Sequence, residues 1–364
     1  MANKKVKFVV AGYGHIGKRH AELIMQHPQA ELVGIIDVIA NPASILDIPY
    51  YTNLSDFLTA DKEAHVVNIC TPNGLHATQA VECLSHQKNV VIEKPIALSK
   101  ADAQAIQKTS KQSNKYVFPV VQNRYSPTIK WLKEIIGNKR LGKVFMVQLN
   151  CFWNRDERYY TSNSWHGTLK LDGGPLYTQF SHFIDVLLWI FGDITHIQAK
   201  FSDYNHQHCT EFEDSGVVLF DFVKGGSGII NYSTSVYQSN MESSIIVIGE
   251  KGTVKIGGQY MNNIVYCNVD GLEQPFLESP LANNYGLYAG SASNHQFVID
   301  NVVEVLTNGT KPNVTLQDGV DVVDVIERIY ANRTNDKILR VTNRNHHDFS
   351  DHQLFPILHR ENNE

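Results

Sequence analysis

The chain has 364 residues, 43% of them hydrophobic and 19% charged, with a formal net charge of −5. Length and composition predict a globular protein of two or three domains with a real core, and the negative charge argues against a nucleic-acid or anionic-membrane partner bound by bulk electrostatics. Five scattered cysteines without a C-x-x-C pair argue against a disulfide scaffold or cysteine zinc site and fit a reducing compartment. No signal peptide or transmembrane segment is expected, so the chain reads as cytoplasmic.

In chain order, an apolar run ending at Ala11 leads into Gly12-Tyr13-Gly14-His15-Ile16-Gly17, with His20, Leu23 and Ile24 continuing at helical spacing. A G-x-G-x-x-G turn between strand and helix has a physical purpose. The first glycine permits the tight turn, the second lets the backbone approach a pyrophosphate, and the third lets helix and strand pack closely. A second apolar run ends at Asp37, about 20 residues beyond Gly17, where an acid accepts hydrogen bonds from the adenosine ribose. An acid there repels a 2′-phosphate, so NAD is favoured over NADP.

A third strand, His65 to Cys70, ends in Thr71-Pro72-Asn73-Gly74-Leu75-His76 and is followed by a helix. Val90-Val91-Ile92 is a short buried strand that delivers Glu93-Lys94-Pro95. Pro95 fixes the chain direction, through either isomer of its peptide bond, and so aims Lys94. Ser99 is an expected N-cap for the next helix, with Asp102 at its N3 position. A strand from Tyr116 to Val121 then leads to Gln122-Asn123-Arg124-Tyr125. This alternation predicts a doubly wound parallel sheet, whose ligands bind beyond the carboxyl ends of its strands. His76 reads equally well as a packing residue and as a ligand contact.

The pattern changes beyond Gly142. A long strand from Lys143 leads to the aromatic and charged loop Arg155-Asp156-Glu157-Arg158-Tyr159-Tyr160, then to Trp165-His166-Gly167. Gly173-Gly174 opens a predicted helix to Phe191. Along it, Thr178, His182 and Asp185 recur at i, i+4 and i+7, so they can converge on one site. Six strands separated by tight turns follow between Ile194 and Cys267, predicting an antiparallel sheet. One of its faces is left for a subunit interface. Helices near Gln296 to Leu306 and Asp318 to Arg328 are placed to pack back on the first domain. The expected division is residues 1–125 for NAD binding, 126–342 for substrate binding and oligomerisation, and 343–364 as a tail. His206-Gln207-His208 and His346-His347 lack nearby acids at ligand spacing, so no metal is expected.

On these motifs the chain resembles the glucose–fructose oxidoreductase/inositol dehydrogenase (Gfo/Idh/MocA) family from Lys5 to about Leu339. The carriers are Gly12 to Gly17, Thr71-Pro72-Asn73 with His76, Glu93-Lys94-Pro95, and Gly173-Gly174 leading to His182 and Asp185. Gln122 to Tyr125, Arg155 to Tyr160, Trp165 to Thr168, Gln179 to Asp185 and Ser291 to His295 resemble, within it, the bacterial UDP-N-acetylglucosaminuronate 3-dehydrogenases of surface-polysaccharide synthesis. The resemblance implies an α/β Rossmann domain plus an α+β domain with an open antiparallel sheet, NAD as cofactor, a sugar or nucleotide-sugar substrate, and a homodimer or homotetramer through that sheet. It implies Lys94 and His182 as the catalytic pair. Gly12, Tyr13, Gly14, His15, Ile16, Gly17, Asp37, Thr71, Pro72, Asn73, His76, Glu93, Lys94 and Gln122 are then cofactor contacts. Arg124, Arg155, Tyr159, Trp165, Thr178, Gln179, Asn294 and His295 are substrate contacts, and Arg158 is a further candidate for a diphosphate or carboxylate. Many family members carry an acid four residues before the histidine. Here that position is Thr178, so no Asp–His dyad is available from this helix turn. Three other readings stay open: a dehydrogenase of a free sugar, inositol or dihydrodiol; an NAD-dependent glycosidase on the same scaffold; and a non-enzymatic dinucleotide sensor.

Overall fold

The computed structural model describes residues 5–39, 48–60, 63–280, 282–284, 289–334 and 339–340. The 343–364 tail, with His346 and His347, lies outside them.

The first sheet holds β1 (Val6–Ala11), β2 (Ala30–Ile36), β3 (Tyr50–Tyr51), β4 (Val66–Ile69), β5 (Asn89–Ile92) and β6 (Val117–Pro119). They run in the order β3-β2-β1-β4-β5-β6, all parallel. Phe8, Val9, Val10, Val90, Val91 and Ile92 are all fully buried, as strands covered on both faces must be. Helices α1 (His15–Gln26), α2 (Leu54–Ala60), α3 (His76–Ser85) and α4 (Lys100–Ser113) supply much of the cover. Phe8, Val10 and Val91 pack with the α1 side, and Val9, Val90 and Ile92 with the α2–α4 side. Ser99 caps α4 by accepting the Asp102 N–H, worth about 1 kcal/mol. The strand order reverses between β1 and β4, which opens a crevice beyond their carboxyl ends.

Helix α5 (Pro127–Gly137) leads to β7 (Val144–Phe152), α6 (Glu157–Tyr160), α7 (Pro175–Thr178) and α8 (Ser181–Phe191). The predicted single helix from Gly174 is therefore two, interrupted at Gln179-Phe180. There follow β8 (Ile194–Asp203), β9 (Ser215–Phe222), β10 (Ser227–Ser233), β11 (Glu242–Gly249), β12 (Gly252–Gly257) and β13 (Asn263–Val269). Next come β14 (Ala282–Asn284), β15 (Ala289–Ala292), α9 (His295–Asn308), α10 (Leu316–Ala331) and β16 (Leu339–Arg340). The second sheet runs β13-β12-β11-β7-β10-β9-β8-β16. It is mixed rather than purely antiparallel. β7 enters between β11 and β10 and lies parallel to β10, and β16 lies parallel to β8.

The inner face of this sheet packs on α8, with Phe180, Phe183 and Leu187 against Leu149, Phe220, Tyr232 and Ile245 in one core. Its outer face exposes Met146, Val217, Leu219 and Ile248. Val298, Val302 and Val303 of α9 share the core of α1 and β1, and α10 joins the core containing β6 and α8. The chain thus returns to the first sheet, as the helical pattern predicts. No described helix is long and apolar enough to cross a membrane, and all five cysteines are free thiols.

Candidate active site

Gly12 has φ +88°, and a Cβ there would lie 2.6 Å from the Cys70 carbonyl oxygen. A Cβ at Gly17 would lie 1.8 Å from the Gly12 oxygen, whereas Gly14 faces open space. Two glycines therefore let the turn close, and the third leaves room above it. No side chain caps the N-terminus of α1, so its N–H groups are available to an anion. The Asp37 carboxylate accepts the Tyr13 N–H (2.6 Å) and the Ile39 N–H (2.9 Å), which fixes it at the carboxyl end of β2. An open glycine, an uncapped helix start and a fixed acid suit the diphosphate and ribose of NAD.

A cleft of about 640 Å³ runs from this turn to the second sheet. Gly12, Gly14, His15, Ile16, Asp37, Thr71, Pro72, Asn73, His76, Glu93, Lys94, Gln122, Arg155, Tyr159, Trp165, Thr178, Gln179, His182 and His295 line it. Tyr13 and Gly17 act from behind, through a backbone contact and close packing.

Several residues have other duties as well. Both ring nitrogens of His76 sit on backbone carbonyls, 2.7 Å from Pro95 and 2.8 Å from Thr71. His76 braces the ends of β4 and β5 and has no ring nitrogen left for a cofactor. Asn73 donates to the Asp172 carbonyl (2.9 Å) and to Thr178 Oγ1 (2.7 Å), so it ties the first sheet to the substrate side. Thr71 donates to Gln79 (2.6 Å).

The Lys94–Pro95 peptide is cis. Lys94 is half-buried, and its ammonium donates to the carbonyl of Thr178. Burial pulls the Lys94 amine down to about 8, against the opposing charges of Glu93 and Asp172. Glu93 is buried, 3.0 Å from His20 Nε2 and 3.7 Å from His295 Nε2. Burial raises the Glu93 carboxyl, but the His20 hydrogen bond and the neighbouring cationic groups overcome it and hold the group near about 2. Burial likewise opposes charge on His20, yet Cys70 and Glu93 outweigh it and raise the ring to about 10. The Asn68 amide meets the other nitrogen of His20 at 2.9 Å. His20, Glu93 and His295 are also the one group among the described residues with three metal-type ligand atoms mutually within 4.8 Å. The 3.0 Å contact with Glu93 and the raised pKa of His20 describe a hydrogen-bonded ion pair.

His182, from the first turn of α8, meets the Gln122 amide through Nε2 at 3.3 Å. Its Nδ1 is buried with no partner among the described residues. Burial, reinforced by Lys94 and His295, lowers its pKa well below the usual value, so the ring is neutral at pH 7. On the far wall, the Arg155 guanidinium lies over Trp153 (4.8 Å) and Tyr159 (5.3 Å). Tyr159 stacks on His166 at 4.2 Å, and Gln179 donates to the Tyr159 hydroxyl (3.3 Å).

Three expected substrate contacts fall outside the cleft lining. Arg124 forms a buried bidentate pair with Asp185 (2.8 and 2.6 Å) and reaches Asp318 at 3.1 Å. It fastens the turn Gln122–Tyr125 after β6 to α8 and α10, and it takes Asp185 out of the predicted Thr178–His182–Asp185 convergence. Asn294 bridges the Gln122 carbonyl (3.3 Å) and Ser126 Oγ (3.1 Å). Arg158 is exposed and paired with Asp156 at 2.6 Å. Conversely, the sequence reading passed over His20, Asn68 and Asp172. His20 carried one signal, its position three residues after Gly17 on the face of α1 that turns inward.

A family model described as an oxidoreductase family with an NAD-binding Rossmann fold matches residues 6–120, and the GFO/IDH/MocA C-terminal domain matches 129–255. The crystal structure of the WlbA dehydrogenase from Bordetella pertussis, in complex with NADH and UDP-GlcNAcA, is similar with a TM-score of 0.81 and 31% identity, covering 90% of this chain and 96% of that one. WlbA from Chromobacterium violaceum, also with NADH and UDP-GlcNAcA, gives 0.80 and 28%, covering 91% and 94%. The inositol 2-dehydrogenase of Rhizobium meliloti is 25% identical over 314 residues, 84% of this chain and 92% of that protein. With its glycine-rich turn, Asp37 and a cleft joining both sheets, the chain belongs to the GFO/IDH/MocA family and is an NAD-dependent oxidoreductase.

Proposed function

We propose that this protein oxidises a secondary hydroxyl of a nucleotide-sugar acid, specifically the 3-hydroxyl of UDP-N-acetylglucosaminuronic acid, in cytoplasmic polysaccharide precursor synthesis. The observation that carries this reading is that Lys94 and His182 line one cleft with the dinucleotide turn at one end and Arg155 in its far wall. The likeness to WlbA structures holding NADH and UDP-GlcNAcA supports the substrate.

When bound, NAD supplies the hydride acceptor. Lys94 donates a hydrogen bond to the reacting oxygen, and its positive charge stabilises the alkoxide that develops there. His182 takes the hydroxyl proton on Nε2, the nitrogen whose lone pair faces the Gln122 amide and turns to substrate when it binds. Glu93, held by His20 and His295, fixes the end of β5 and keeps the Lys94 side of the cleft from carrying surplus positive charge. Arg155, stiffened by two aromatic rings, offers its guanidinium to a carboxylate or diphosphate.

The purified protein with NAD⁺ is expected to form NADH with UDP-N-acetylglucosaminuronic acid. Neutral free sugars and myo-inositol, lacking the anionic groups, are expected to give kcat/KM about a hundredfold lower. Equal turnover of myo-inositol would overturn the substrate assignment. Release of free sugar without net NADH would assign a glycosidase instead. The exposed apolar face bearing Met146, Val217, Leu219 and Ile248 supports a homo-oligomer, and a monomeric mass in solution would rule it out.

A further inference from the structure

Position 178, one turn before His182, carries a hydroxyl and no charge. A carboxylate stands directly behind it. Asp172, 0% exposed, lies in the loop ahead of Gly173-Gly174. One of its oxygens accepts the Thr178 hydroxyl, and the other accepts the Gly167 N–H at 2.8 Å. Asn73 donates to the same Thr178 oxygen (2.7 Å) and to the Asp172 carbonyl (2.9 Å). Lys94 donates its ammonium to the Thr178 carbonyl. One threonine therefore meets the acid with its side chain and the lysine with its backbone.

We propose that Asp172 is a positioning residue for Lys94: through Thr178 it fixes where the ammonium sits, and with its negative charge it keeps that ammonium protonated. This rests on the reading of Lys94 as the cation that the reaction needs.

Chain connectivity makes the geometry possible. Thr178 ends α7, so its carbonyl is released from helical bonding. The two glycines, at φ +88° and +110°, fold the chain so that Asp172 returns behind Thr178. A carboxylate in a water-free position is costly unless hydrogen-bonded and compensated by a cation; Asp172 accepts from Thr178 and Gly167 and feels the Lys94 charge through space. Burial raises the Asp172 carboxyl to about 6, while Thr178, Gly167 and Lys94 hold it down.

Other charged and titratable groups also bear on this pair. Glu93 on the strand end favours the Lys94 cation, and Arg155 from the second-sheet side opposes it. His76, His182 and His295 each lie within electrostatic reach of Lys94. The buried Tyr160 hydroxyl feels Asp172 and Arg155. Of these groups only Asp172 reaches Lys94 through a hydrogen-bonded residue of the catalytic helix segment.

The sign follows directly. Removing the Asp172 charge takes a stabilising neighbour from the ammonium, so Lys94 loses its proton at lower pH. The first measurement needs no turnover. Lys94 in the NAD-free protein is titrated by the pH dependence of its acylation by a small amine-selective reagent, read on the Lys94 peptide by mass spectrometry. The second is the alkaline limb of the kcat/KM profile on the substrate that forms NADH.

Asp172→Asn is expected to move the Lys94 midpoint to lower pH by about one unit, and the alkaline limb with it, while NAD affinity stays within about twofold. Thr178→Val, which keeps the acid but removes the hydroxyl, should give a smaller movement in the same direction and serves if Asp172→Asn fails to fold. The double variant Asp172→Asn/Thr178→Asp, which returns a carboxylate from the helix side, should bring the midpoint back toward the wild-type value. Folded variants with an unchanged Lys94 midpoint would reduce Asp172 to an anchor for Gly167 and overturn the proposal. A shifted midpoint with an unshifted alkaline limb would uphold Asp172 and overturn the role of Lys94 instead.

Discussion

Replacing Lys94 by methionine is expected to lower kcat about a hundredfold to a thousandfold, with NAD affinity changed by no more than about threefold. Methionine keeps most of the side-chain length and removes the charge. In a cleft drained of water by substrate, a cation beside the reacting oxygen stabilises the alkoxide far more than the starting hydroxyl. The loss therefore appears in kcat rather than in binding. The pH dependence gives the same argument a direction. Burial holds the Lys94 amine at about 8, so wild-type turnover should fall as pH rises through about 8 and the ammonium is lost. In Lys94→Met that limb should vanish, because nothing at position 94 titrates. A variant with near-wild-type turnover would remove Lys94 from the chemistry. A variant with unchanged kcat and a raised KM would make it a binding residue.

That Lys94 could be singled out from sequence reflects how local its constraints are. Gly12 to Gly17 and Glu93-Lys94-Pro95 are contiguous, and each glycine or proline answers a backbone requirement within a few residues. The steric contacts at Gly12 and Gly17 are of that kind. The parallel order of the first sheet was legible for a similar reason, since apolar strands alternating with amphipathic helices admit few other arrangements.

What escaped depends on long-range partners or on short elements. Arg124 was expected to face substrate, but its partners Asp185 and Asp318 lie 61 and 194 residues away, and no local pattern announces them. His20 meets Glu93 across 73 residues. β3 and α2, of two and seven residues, are too short for periodicity to mark. The break between α7 and α8 was hidden by an apolar pattern that continues through Gln179-Phe180. That break is what frees the Thr178 carbonyl for Lys94.

His182 carries the complementary prediction. His182→Asn is expected to lose about a hundredfold to ten-thousandfold in kcat while binding NAD as before, since the ring contributes no contact to the glycine-rich turn. Asparagine retains a polar side chain near Gln122 but cannot accept a proton at working pH. In the wild type, burial together with Lys94 and His295 holds the imidazole well below its usual pKa. It is therefore already an acceptor at pH 7, and turnover should rise with pH only through a limb below about 6.5. In the variant that acid limb should disappear, and the residual rate should climb with pH as hydroxide takes over the proton, until Lys94 loses its own proton near 8.

A second readout separates chemistry from folding. With the base removed, the chemical step, in which hydride leaves the hydroxyl-bearing carbon as the hydroxyl loses its proton, slows relative to binding and product release and becomes more fully rate-limiting. Deuterium on that carbon should slow the variant more than the wild type. An equal isotope effect in both proteins, or a wild-type acid limb in the variant, would mean that another group takes the proton. Lys94 would then be the first to test, because an amine held near 8 can also act as a base once deprotonated.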